Sequence, residues 1–184
     1  MSNSVKGSRN YTKALTTTAL MVALGLILSQ IKLFQMPQGG SVTLFSMLPI
    51  VLLGYLLGTR WGVLGGVIHG LLDLMFGGFV IHPAQLVIDY IFAFALLGLS
   101  GLVRNKKHGL TIGYIIGITG RYAMAVLSGV IFFGSYAPAN FNALTWSLWY
   151  NLTYIATEGI LTIILINIPP IKNMFAHLRR TLEN

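Results

Sequence analysis

The sequence predicts an all-α integral membrane protein: a six-transmembrane-helix bundle with both termini cytoplasmic. Three observations carry this. Of 184 residues, 55% are hydrophobic and only 9% charged, with a mean hydropathy of +0.76, whereas a soluble domain carries about 25% charged residues. The apolar residues form continuous runs rather than the alternation of a membrane strand. The cations cluster in alternate loops.

A membrane helix needs about 20 mostly apolar residues, and runs of this kind predict spans near 14–33, 43–58, 61–76, 84–103, 110–133 and 145–168. The first run follows a polar, basic start, MSNSVKGSRNYTK. It is too long for a signal peptide and lacks a convincing cleavage site, so it is expected to remain as a span. The second and third are short and separated only by Gly58-Thr59-Arg60, which predicts a tight hairpin. No tandem repeat, low-complexity tract or linker interrupts the chain, so residues 1–184 read as a single membrane domain.

Charge sets the orientation. Lys6, Arg9 and Lys13 precede the first span, and Arg60 lies between the second and third. Arg104, Lys106 and Lys107 lie between the fourth and fifth, and Lys172, Arg179 and Arg180 follow the sixth. These are ten of the 12 cations, and the positive-inside rule places both termini in the cytoplasm. The net charge of +8 therefore reports topology, and no nucleic-acid partner is expected. The outer loops, near 34–42, 77–83 and 134–144, are rich in Gly and Pro and carry no acid.

Several chemistries are not expected. There is no cysteine, hence no disulfide or thiolate metal site. No His/Asp/Glu spacing resembles a metal site, no phosphate-binding GxxxxGK[ST] loop occurs, and no acid–base–nucleophile set is visible. The chain reads as neither an enzyme nor the holder of a cofactor.

Ionisable residues at membrane depth are functional candidates by default. Asp73, Asp89, Arg121 and Glu158 qualify. Arg121 and Glu158 lie at similar depth and could form an internal ion pair that merely orients helices. Asp89 has no equally obvious basic partner; with Tyr90 beside it and Asn151 at equal depth, it makes a plausible ligand set. Ser147, Asn151, Tyr154 and Glu158 fall at i, i+4, i+7 and i+11 on the sixth span, one polar stripe that must face the bundle or a cavity. Trp146 and Tyr150 flank it. A carboxylate beside a ring-lined cleft suits a flat cation. The aromatic stretch 133–154 also fits an interfacial belt. His69 and His82 read more readily as hydrogen-bonded structural groups than as ligands. On the first span, Ala19 and Ala23 form a small-xxx-small pair that permits close approach of another helix.

Taken together, these features resemble the substrate-binding S components of energy-coupling factor (ECF) vitamin transporters. MPQGGSV at 36–42, HPAQLVIDY at 82–90, RYAMAVLSGVIFFGSYAP at 121–138 and SLWYNLTY at 147–154 look like the thiamine-specific (ThiT-like) members, and the similarity runs over about 14–168. The resemblance implies that Asp89 meets the aminopyrimidine ring of thiamine, with Tyr90 adjacent. It further implies that Gly129 allows close approach, that Phe133 takes a stacking position often held by Trp, and that Asn151 supplies a polar contact beside Ser147 and Tyr150. The 34–42 loop, carrying Gln38, would act as a lid. Ala19 and Ala23 would dock onto the ECF transmembrane coupling subunit, which joins two ATPase subunits in the bacterial plasma membrane. The chain departs from the family pattern at two positions, with Ala125 in place of His and Trp146 in place of Tyr. Both concern the pyrimidine end of the ligand, so a related pyrimidine or thiazole precursor, or another vitamin, stays open as substrate. A non-ECF ion-coupled carrier using Asp73, Asp89 and Glu158 and a non-transporting membrane scaffold remain as further alternatives.

Overall fold

The computed structural model describes residues 2–183, with side chains described for 11–182. Lys6 and Arg9, counted above toward the inner charge, lie outside the residues whose side chains are described. Helix α1 (Ser2–Gln30) leads into an antiparallel hairpin, β1 (Lys32–Gln35) and β2 (Ser41–Thr43). Then come α2 (Leu48–Leu57), α3 (Thr59–Met75) and the helical rod α4 (Pro83–Val103). Helices α5 (Gly109–Phe132), α6 (Ala143–Asn167) and α7 (Pro169–Glu183) complete the chain. Among the described residues, four stretches are long and apolar enough to cross a membrane: Tyr11–Gln30, Pro83–Val103, Gly109–Phe132 and Ala143–Asn167.

The structure departs from the sequence expectation most at 31–47. The first run stops being helical at Gln30, and the second becomes helical only at Leu48. The cause is the turn Met36–Gly40, where Gly39 N–H donates to Met36 O at 2.9 Å and Met36 N–H to Gly40 O at 3.0 Å. Pro37 presets the turn, and Gly39 (φ +99°) and Gly40 (φ +72°) take left-handed conformations that suit glycine. Apolar content alone could not separate this hairpin from two helix ends.

Helix α2 is the hub. Its Ile50, Val51 and Leu53 are 0% exposed, as expected for a helix hydrophobic all round and enclosed by neighbours. At ten residues it is only about 15 Å long. It meets α3 and α4 backbone to backbone: a Cβ on Gly62 would lie 2.7 Å from Gly54 Cα, and one on Gly54 would lie 2.8 Å from Gly98 O. Small residues permit such an approach, and Ser100 Oγ locks it by donating to Val51 O at 2.8 Å. On α1 the buried row is Ala14, Thr18, Val22 and Gly25, facing α2 and α3. Ala19 and Ala23 lie on the exposed side, among Leu15, Leu20 and Leu24.

The tail read above only as a cationic segment is helix α7. Extended Ile168 (ψ +124°) and Pro169-Pro170 end α6 and start α7, because proline cannot continue a helix but suits its first turn. Ile171, Phe175 and Leu178 are partly buried, on the side of the helix that packs against α2 and α6. The Arg179 guanidinium stacks 5.1 Å from the Tyr55 ring centroid and donates to Arg104 O and Asn105 Oδ1.

Candidate functional site

At the end of the bundle away from α7, the hairpin turn, the 76–82 loop, the start of α4, the end of α5 and the start of α6 enclose a cavity of about 630 Å³. Small-molecule sites span roughly 300–1,000 Å³. Gln38, Asp89, Tyr90, Gly129, Phe133, Trp146, Ser147, Tyr150 and Asn151 all line it.

Asp89 and Tyr90 sit in a π-helical segment, Val87–Phe92, inside α4. Such widened turns are frequent at functional sites. His82 caps the helix start, its Nδ1 accepting from Ala84 N–H at 3.1 Å, with Pro83 in the first turn. The two wall residues that hold Asp89 are Gln85, one turn earlier, and Ser128 of α5. Gln85 Nε2 donates to Asp89 Oδ2 at 3.1 Å, and Ser128 Oγ donates to the same oxygen at 2.7 Å. Asp89 Oδ1 accepts no hydrogen bond from the described residues, so one carboxylate oxygen is held while the other is left for the cavity. Tyr90 Oη accepts from Phe79 N–H at 2.9 Å, and Gln85 Nε2 donates to Phe79 O at 2.9 Å. The 76–82 loop is thereby pinned with Phe79 in the wall. Neither Gln85 nor Ser128 was singled out from sequence; a Gln four residues before Asp in an apolar run was the available signal.

The opposite wall is α6. Its start carries a capping box, with Thr145 N–H donating to Asn142 Oδ1 at 2.8 Å and Asn142 N–H to Thr145 Oγ1 at 3.2 Å. Trp146, Tyr150 and Tyr154 then follow one turn apart, with ring centroids separated by 6.1 and 5.9 Å. Beneath them Ser147 Oγ donates to Val126 O at 2.9 Å, and Asn151 Nδ2 to Ser147 O at 2.9 Å and Ala125 O at 3.3 Å. Tyr154 Oη donates to Asn151 Oδ1 at 2.8 Å, so the Asn151 amide is fixed from both ends. Gly129 makes the contact possible, since a Cβ there would lie 2.1 Å from Ser147 Oγ. Phe133 stands between Phe79 and Tyr136, at centroid distances of 6.5 and 6.1 Å. Trp149 and Phe141, by contrast, are 53% and 40% exposed. The aromatic stretch therefore divides, one set of rings lining the cavity and another facing outward.

The hairpin turn lies on α6. Gln38 Nε2 donates to Thr153 Oγ1 at 2.7 Å. A Cβ on Gly39 would sit 2.9 Å from Tyr150 Oη, and one on Gly40 2.6 Å from Tyr154 Cδ1. Asp73, whose Oδ1 accepts from Ser29 Oγ at 3.2 Å, and Arg121 also line the cavity. The Arg121 guanidinium carbon lies 4.1 Å from the Phe94 ring centroid, and its buried Nη1 has no hydrogen-bond partner among the described residues.

The ion pair considered between Arg121 and Glu158 does not form. Arg121 turns toward Phe94 of α4, whereas Glu158 is met by donors from the β2–α2 junction, Thr43, Ser46 and Met47. Equal depth on neighbouring helices did not bring the two charges to one face. His69 is buried against Phe94 at 4.8 Å, and His82 stacks on Phe132 at 5.4 Å. Neither lines the cavity.

A helical bundle with four stretches able to cross a membrane, enclosing a cavity lined by two carboxylates, one guanidinium and a wall of rings, has the build of a membrane-embedded binder of a small flat molecule. The chain belongs to the family described as thiamine transporter protein (Thia_YuaJ), which matches residues 15–177. It is similar to the thiamine transporter ThiT of Bacillus subtilis (strain 168), at 37% identity over 80% of this chain and 85% of that one. It is also similar to the thiamine transporter ThiT of Lacticaseibacillus paracasei, at 31% identity over 67% and 70%. A solved structure of ThiT from Listeria monocytogenes superposes with a TM-score of 0.75 at 25% identity, covering 90% of this chain and 98% of that one.

Proposed function

We propose that this protein is the substrate-capture (S) subunit of an ATP-driven ECF importer and binds thiamine in the cavity between α4, α5 and α6. The observation that carries this reading is Asp89, one oxygen held by Ser128 and Gln85 and the other open, across the cavity from Trp146 and Tyr150. A carboxylate oxygen accepts from the aminopyrimidine end of thiamine, while the rings stack on its planar parts. Asp73 and Asp89 against Arg121 give the cavity one formal net negative charge, the complement of the thiazolium cation. Tyr90, Gly129, Phe133, Ser147 and Asn151 shape the walls, and the hairpin carrying Gln38 acts as the lid.

In this reading the chain is a single membrane domain of six spans in the bacterial plasma membrane, α2 and α3 supplying the two short ones, with both termini cytoplasmic. The exposed Ala19–Ala23 row on α1 docks the transmembrane coupling subunit, and two partner ATPases supply the energy. The test is calorimetric titration of the detergent-purified protein with thiamine, hydroxymethylpyrimidine and a thiazole alcohol. Saturable 1:1 thiamine binding supports the proposal. Heat from a fragment alone moves the substrate, as Ala125 and Trp146 would allow, and silence with all three refutes the site.

A further inference from the structure

We infer that Glu158 is a positioning residue that clamps the base of the hairpin to α6 and so holds the lid on the ligand cavity. This deepens the thiamine reading and rests on it only for the identity of the ligand. Glu158 lies one turn beyond Tyr154 and is 3% exposed. Thr43 N–H and Thr43 Oγ1 donate to its Oε2 at 3.0 and 2.7 Å, and Ser46 Oγ and Met47 N–H donate to its Oε1 at 3.1 and 3.4 Å. Both oxygens are thus used by one segment, 43–47, where β2 passes into α2.

That segment is strained. Phe45 adopts φ +58°, a left-handed conformation that a bulky residue takes only when its surroundings over-determine it. The strain has a geometric purpose: the chain must reverse between a strand and a buried helix within five residues. Hydrogen bonds to the Glu158 carboxylate are the fixed point on α6 against which it does so. The turn at the other end of the hairpin rests on the same helix through Gly39, Gly40 and Gln38. The lid is therefore attached to α6 at two places. The turn contact is with Tyr150 and Tyr154, which line the cavity, and with Thr153 beside them, whereas the Glu158 contact lies outside the cavity lining. Loss of the clamp frees the base of the hairpin without removing any cavity side chain.

Two measurements on the full-length, detergent-purified chain test this. In hydrogen–deuterium exchange without ligand, peptides covering 36–47 should exchange roughly tenfold faster in Glu158→Leu than in the wild type, with peptides from α5 unchanged. In stopped-flow binding, thiamine dissociation should accelerate roughly ten- to hundredfold with little change in association. A loss of folded protein would lower the number of sites and leave the dissociation rate alone. Glu158→Gln keeps an acceptor for Ser46 and Met47 but turns an amide donor toward Thr43 N–H, and should recover part of the effect. Should Glu158→Leu fail to fold, the Thr43→Val/Ser46→Ala double variant opens the same clamp from the hairpin side. Faster hairpin exchange with a wild type silent to thiamine would uphold the clamp and refute the thiamine reading. A thiamine-binding wild type whose variants keep their exchange and dissociation rates would overturn the clamp and spare that reading.

Discussion

Replacing Asp89 separates the two duties of its carboxylate. Oδ2 accepts from Ser128 Oγ at 2.7 Å and Gln85 Nε2 at 3.1 Å, and these two partners are 1% and 2% exposed. In Asp89→Ala both buried donors lose their acceptor, at about 1–3 kcal/mol for each group left unsatisfied. That variant therefore loses stability as well as binding. Asp89→Asn is more informative. Its amide oxygen can take the place of Oδ2 and keep both wall hydrogen bonds, which points the amide nitrogen at the cavity. An ionised acceptor then becomes a neutral donor facing the ligand. A hydrogen bond to a charged group is worth about 1.5–3 kcal/mol, and each 1.4 kcal/mol is tenfold in affinity. Asp89→Asn should thus weaken thiamine binding by about 10- to 150-fold with its melting temperature nearly unchanged. The assay is quenching of intrinsic tryptophan fluorescence, Trp146 lying in the cavity wall, alongside thermal unfolding in the same detergent. Affinity within about twofold of the wild type would remove Asp89 from the binding site and with it the orientation of ligand proposed here.

Gly129→Val places a side chain where a Cβ already lies 2.1 Å from Ser147 Oγ. It should displace the Ser147–Val126 hydrogen bond, cost about 1–3 kcal/mol of stability and weaken ligand binding, read by thermal unfolding and titration. Trp at Ala19 or Ala23, on the exposed face of α1, should leave thiamine affinity of the isolated subunit within about twofold. In cells carrying the partner subunits the same variants should abolish radiolabelled thiamine uptake, and full uptake would show that this row is no docking surface.

Much of the architecture was legible because a membrane span is a local property. Eighteen or more apolar residues in sequence can be satisfied only by an α-helix in hydrocarbon. The runs at 84–103, 110–133 and 145–168 accordingly match α4, α5 and α6 to within about two residues. The polar stripe on α6 was legible for the same kind of reason, since 3.6-residue periodicity puts Ser147, Asn151 and Tyr154 on one face. Asp89 stood out because an uncompensated charge at membrane depth must have a use.

Pairing between distant segments was decided only in three dimensions. The residues of β1 and β2 are as compatible with helix ends as with strands, and a turn with two left-handed glycines tipped them into a hairpin. The π-helical segment under Asp89 and Tyr90 has no signature in composition; it lies where Gly70 of α3 packs against Tyr90 O on one side and Ser128 bonds Asp89 on the other. Arg121 and Glu158 were matched by depth, but burial satisfies a charge with whichever donors or rings its own face meets, and those were Phe94 and the 43–47 segment. Sequence alone determined that the chain is helical, membrane-embedded and built around a few buried polar groups, because hydropathy and periodicity act along the chain. Which groups face each other was settled by tertiary packing, because a side chain's partner depends on helix rotation and approach, and glycines at the contacts control both.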